Sequence, residues 1–179
     1  MEKEKAISTA RSRFNYEVMA GISNRIPLIV IESKQDKSIL HLMLTALLSR
    51  CNIDLWLYGR NEKEHYVVQY LGRNEPRRFS IPLFIPHGVN TIKRALTRQK
   101  AVLNYVLPRI GIGRVFAFHD KDFDWSNIEP ELAKSACRRN QVIIVFTNNL
   151  GKGTSILNLK KLGFLKVVKF CAQKKSQKK

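Results

Sequence analysis

Three aspartates, Asp120, Asp122 and Asp124, fall within five positions of a chain that holds 14 acidic residues against 32 basic ones. Grouped carboxylates are hard oxygen donors. They suit Mg²⁺ (or Mn²⁺), which takes one or two carboxylates together with water and phosphate oxygens. An Asp-rich turn also arises without any metal, because Asp favours turns and helix caps. The element before the triplet therefore matters. Val115 to His119 is mostly apolar and reads as a buried parallel strand, apolar on both faces. In open α/β sheets, sites form just beyond the carboxyl ends of such strands.

A second carboxylate stands in the same kind of place. Pro27 to Glu32 (PLIVIE) is a β-branched run bounded by a proline, so Glu32 ends a strand. Asp36 follows four residues later. Ser33-x-x-Asp36 fits a capping box, and the helix dipole also favours Asp36, which accounts for Asp36 without chemistry. It does not account for Glu32. If these two strands are sheet neighbours, Glu32 and the Asp120 turn open onto one edge. Carboxylates gathered there repel one another, and a divalent cation relieves the repulsion.

The elements that must position these residues read as one α/β domain. Lys37 to Arg50 spaces Ile39, Leu40, Leu42, Met43, Leu44, Leu47 and Leu48 as a helix with a broad apolar face. Ile53 to Tyr58 is a strand, so the chain after Pro27 reads β–α–β, with a right-handed crossover in a parallel sheet. Tyr66 to Leu71 and Phe79 to Ile85 read as an inserted β-hairpin at the sheet edge, since Pro82 argues against a central strand. A helix is expected over Thr91 to Val106 and another over Glu129 to Arg138. Val142 to Phe146 is a strong buried strand, Ile156 to Leu162 a short helix and Leu165 to Phe170 a last strand. The resulting division is an N-terminal extension (1–26), an α/β domain (27–170) and a basic tail (171–179).

A formal net charge of +18 points to polyanionic partners, nucleic acid foremost. Arg73, Arg77 and Arg78, near Tyr66, Tyr70 and Phe79, could grip a nucleic-acid backbone and stack bases. The same arginines could equally be a solvated edge that blocks strand pairing. Lys34, Lys37 and Lys121 lie close in sequence to the acids and could neutralise phosphate. The apolar run from Ile39 to Leu48 is too short to cross a bilayer, and the N-terminus has no apolar h-region, so neither membrane nor secretion is expected. Cys51, Cys137 and Cys171 make neither a zinc spacing nor a disulfide framework, consistent with a reducing compartment, cytoplasmic or nucleoid-associated. Cys51 is expected in the core. NNLGKGTS, Asn148 to Ser155, fails the Walker A pattern because Gly153 follows Lys152. The four histidines have no zinc spacing, and His41 is expected to be structural.

An apolar strand ending in Glu, an Asp four residues later, a helix, and a later apolar strand ending in Asp-x-Asp together resemble the Toprim domain. This is carried by Glu32 and Asp36 in LIVIESKQDKSIL and by Asp120 and Asp122 in VFAFHDKDFD, over Pro27 to Phe146. The flavour is closest to stand-alone Toprim-like domains, OLD-type nucleases and small maturation ribonucleases. The resemblance implies a mostly parallel Toprim/Rossmann-like sheet flanked by helices. It also implies roles: Glu32 as general acid/base or additional metal ligand, Asp120 and Asp122 as Mg²⁺ ligands, Asp124 in support. Ser33 stands where many members have Gly, and Trp125 where most have a small residue.

The expectation is a Mg²⁺-dependent enzyme that cleaves phosphodiesters of DNA or RNA, with Glu32 and Asp120 catalytic. The alternative is a non-catalytic nucleic-acid-binding protein of a ribonucleoprotein or nucleoprotein complex. A haloacid-dehalogenase-like phosphatase also uses Asp-x-Asp, but carries Thr or Ser where this chain has Asp124. A nucleotide-sugar transferase would not need so much positive charge.

Overall fold

The computed structural model describes residues 2–61, 65–80, 115–119, 142–151 and 154–171. The expected helices over Thr91 to Val106 and Glu129 to Arg138, the Asp120 turn and the tail after Cys171 lie outside these residues.

The described elements follow the apolar runs. They are α1 (Glu2–Ser23), β1 (Leu28–Glu32), α2 (Lys37–Arg50), β2 (Leu55–Arg60), β3 (His65–Tyr70), β4 (Arg77–Ser80), β5 (Val115–His119), β6 (Val142–Thr147), α3 (Thr154–Lys161) and β7 (Leu165–Lys169). The strands form one mixed, mostly parallel sheet in the order β4-β3-β2-β5-β6-β1-β7. Strands β2, β5, β6, β1 and β7 run parallel, while β3 pairs antiparallel with both β2 and β4. Buried central strands such as β6, with all six residues inside, are apolar throughout because helices cover both faces.

One core lies between the sheet and the helices α1 and α2. It gathers Phe14 and Val18 from α1, Leu40, Leu44 and Leu48 from α2, and Ile29, Ile31, Ile144 and Phe146 from the sheet. The N-terminal helix thus contributes directly to this core. Its fit depends on Gly21, where a Cβ would stand 2.7 Å from Ile29 Cδ1. Ile156 and Leu159 of α3 are buried outside this cluster. The path β1–α2–β2 crosses the sheet in one direction and β6–α3–β7 in the other. Crossovers of one hand running in opposite directions lie on opposite faces, so α2 and α3 flank different sides.

All three described helices end in the same way. The chain leaves α1 with Arg25 N–H donating to Ile22 O and Ile26 N–H to Gly21 O, both at 3.0 Å. Asn52 and Ile53 repeat this after α2, and Gly163 and Phe164 after α3. These are Schellman motifs, whose turning residue takes positive φ. That residue is Arg25 (φ 55°), Asn52 (φ 52°) and Gly163 (φ 73°) respectively. Cys51, expected in the core, is exposed. It falls at the C-cap of α2, past the last buried leucine, and its amide bonds back to Leu48 and Ser49 carbonyls.

Candidate functional site

Parallel pairing brings the carboxyl ends of β5, β6, β1 and β7 to one edge. Glu32 lies in register with Thr147 of β6 on one side and Lys169 of β7 on the other. His119, the last residue of β5, lies in register with Phe146. Strands β1 and β5 are not sheet neighbours, because β6 lies between them. Their ends share the edge at two strand spacings, roughly 10 Å. Since β1 and β6 send their chains to opposite faces, their ends flank a crevice of the kind where α/β proteins place sites.

Glu32 is held by both oxygens. Oε2 accepts a hydrogen bond from Leu150 N–H at 2.9 Å, and Oε1 lies 3.8 Å from Lys169 Nζ. The carboxylate is 24% exposed and the Lys169 side chain 73% exposed, so the ion pair faces water and is worth little on its own. Leu150 is in position because Thr147, buried at the end of β6, turns the chain. Its hydroxyl accepts from Asn149 N–H at 3.2 Å and donates to Asn149 O at 3.1 Å.

Ser33 does not cap α2, contrary to the expected capping box. It is buried, donates through Oγ to Phe170 O at 2.7 Å and accepts from Gln35 N–H at 3.1 Å. Ser33 N–H donates to Thr147 O and Phe170 N–H to Glu32 O, so the ends of β6, β1 and β7 are laced together at this point. The cap is Asp36, whose Oδ1 accepts from Ser38 N–H at 2.7 Å and from the Ser38 hydroxyl. The bonds from the Ser38 hydroxyl and then its amide hold the Asp36 carboxyl below the usual carboxylate range. Asp36 therefore fixes the start of α2.

A cavity of about 310 Å³ opens beside Glu32, lined by Ser33, Lys34, Asn148, Lys169 and Phe170 among others. Lys34 and Lys37 are exposed. Asp120, Lys121, Asp122 and Asp124 lie outside the described residues, though the strand that leads to Asp120 is in place. Among the described residues, no group of three His, Cys, Asp or Glu side chains is gathered closely enough to hold a metal.

Two histidines lie under the same edge on the α2 side. His41 of α2 packs against Phe146 in a tilted ring pair, with centroids 4.7 Å apart, and its buried Nε2 has no hydrogen-bond partner. Burial, then Lys37 and His119, pushes its pKa down to about 4, and Asp36 opposes this. The imidazole is thus neutral at pH 7.

The structure does not bring the arginine loop to Glu32. Strand β4 is the far edge of the sheet, five strand spacings from β1, on the order of 24 Å. Because Tyr70 pairs with Leu55 at the start of β2, Arg73 also lies beyond the amino edge, at the opposite end of the parallel strands. On these outer strands, Arg78 covers the Tyr66 ring at 3.9 Å and Phe79 stacks on Trp56. Arg73, Arg77 and Arg78 are all exposed. Lys169, by contrast, belongs to the site but was not singled out in the sequence. Its signal was a cation closing a strand, which gains meaning only once β7 is known to lie beside β1.

The sequence matches no protein-family model and no curated protein. Among the described residues, no helix is long and apolar enough to cross a membrane.

Proposed function

We propose that this chain is a Mg²⁺-dependent (or Mn²⁺-dependent) nucleic-acid phosphodiester-cleaving enzyme of Toprim type, acting on DNA or RNA. The observation that carries this reading is the shared edge. Strand β1 delivers Glu32 there, and β5 ends there at His119, one residue before Asp120. The donor set is all-oxygen, which is what Mg²⁺ takes. Asp120 and Asp122, with Asp124 or Glu32 in support, would hold the ion. When bound, the metal supplies Lewis-acid polarisation of a phosphoryl oxygen and stabilises the leaving oxygen.

The chain's own residues do the rest. Glu32 is oriented by the Leu150 amide and can accept a proton from the attacking water. Lys34 and Lys169 line the adjoining cavity and offset the charge of a phosphate there. The high net positive charge adds sequence-independent affinity that falls steeply with salt.

A second reading has its own support: Glu32 is already engaged by Leu150 and Lys169, which suits a non-catalytic nucleic-acid-binding protein. Cleavage of labelled DNA and RNA in Mg²⁺ or Mn²⁺ separates the two. The enzyme reading expects cleavage that is abolished in Asp120→Ala/Asp122→Ala and reduced by at least about a hundredfold in Glu32→Gln, the scale of a lost general base. If neither wild type nor variants cut, yet all bind equally with the same salt dependence, the binding protein stands and the enzyme falls.

A further inference from the structure

We propose that the trough between α1 and the edge strand β7 is the track on which a single-stranded polynucleotide approaches Glu32. This deepens the nucleic-acid reading above and rests on it. The trough encloses about 830 Å³, and Lys5, Thr9 and Arg13 of α1 form part of its wall. Lys169, Phe170 and Cys171 line both this trough and the cavity that holds Glu32, so the two adjoin.

The helix supplies the pattern a nucleic-acid backbone needs. Lys5, Thr9 and Arg13 recur every four residues, so they lie along one side of α1. Lys5 and Arg13 are about 12 Å apart along the axis. Lys169 and Lys34 continue the line of cations to Glu32. Glu17 opposes them, bonded to Arg13 Nε at 3.2 Å. That pair is exposed on the Arg13 side and costs little to exchange for a phosphate.

The second observation is Tyr16, three residues beyond Arg13 on the same side of α1 and 75% exposed. The core-facing side of this helix is taken by Phe14 and Val18, so the Tyr16 ring has no packing role there. Cations and an exposed aromatic face on one side of a helix are the usual platform for single strands, whose bases are free to stack. A duplex keeps its bases paired and stacked inward and offers nothing to that ring.

The test is equilibrium binding of labelled single-stranded DNA and RNA oligonucleotides and of the matching duplexes, by fluorescence anisotropy in EDTA, so that no cleavage is required. The full chain is compared with Lys5→Ala/Arg13→Ala/Tyr16→Ala, with Tyr16→Phe, and with Arg73→Ala/Arg77→Ala/Arg78→Ala at the far edge. Single strands are expected to bind more tightly than duplexes. The α1 variant should lose at least about tenfold in single-strand affinity, and its salt slope should fall by about 1.4 for two lost phosphate contacts. Tyr16→Phe should bind as the parent does, and the far-edge variant should lose less than the α1 variant. Lys5, Arg13 and Tyr16 are exposed, so an unchanged melting temperature marks an intact fold. The proposal is overturned if the α1 variant binds like the parent, if duplex binds as tightly as single strand, or if the parent binds no single strand. Single-strand binding through α1 without any cleavage in Mg²⁺ would leave the track standing and remove the enzyme. Cleavage with an indifferent α1 variant would do the reverse.

Discussion

Ser33→Ala tests how the candidate edge is held together. Ser33 is 3% exposed, and its hydroxyl serves two partners, Phe170 O at 2.7 Å and Gln35 N–H at 3.1 Å. Alanine removes only the oxygen, so little packing volume is lost. Phe170, 4% exposed, is left with its carbonyl short of a buried donor, a loss of about 1–3 kcal/mol. Gln35 is partly exposed and can recover water, so its amide adds little. The expected loss is about 2 kcal/mol. In a chain of this size that lowers Tm by about 4–8 °C. Urea unfolding should show a lower midpoint with an unchanged m-value, because the surface exposed on unfolding is the same. Ser38→Ala removes an exposed hydroxyl from Asp36 and should cost no more than about 0.5 kcal/mol. A Ser33→Ala protein whose Tm moves by less than about 1 °C, or no more than Ser38→Ala, would refute the claim that this hydroxyl ties β1 to β7.

Two further perturbations probe other parts of the argument. His41 carries a folded pKa of about 4 against 6.5 for the free side chain, so the unfolded chain binds the extra proton first. Stability is full above about pH 6.5 and falls as pH drops towards 4, by about 1–2 kcal/mol once its partial exposure is discounted. His41→Phe should flatten that part of a urea-derived stability profile, and a variant with the parent's slope would remove His41 as its source. Arg25 adopts positive φ at the end of α1, where a side chain is strained. Arg25→Gly should relieve more strain than it adds in unfolded-state entropy, for a net gain of about 0.5–1 kcal/mol in thermal or chemical unfolding. A loss of stability would contradict the Schellman geometry.

Much of the scaffold around the site was legible as local pattern. Lys37–Arg50 is the helix that its leucines announced, and Val115–His119 the strand that its apolar run announced. Apolar spacing and β-branched runs are set by nearest neighbours along the chain, so they survive in one dimension. Boundaries that depend on pairing were less so. The fourth strand is Arg77–Ser80 rather than a run beginning at Phe79, because β3 offers its partners at Tyr66 to Gln69. Ser33 and Asp36 were both legible as polar residues before a helix, but their roles were not. Ser33 has as its partner a carbonyl 137 positions away.

By itself, then, the sequence determined that Glu32 ends a buried strand, that Asp36 begins a helix, and that the chain as a whole is strongly cationic. Tertiary structure alone decided that β6 separates β1 from β5, that Lys169 faces Glu32, and that Arg73, Arg77 and Arg78 stand at the other side of the sheet. The physical reason is that strand order is a competition among apolar faces that look alike along the chain. It is settled by which set of strands and helices buries them together, and charges at strand ends acquire neighbours only after that choice is made.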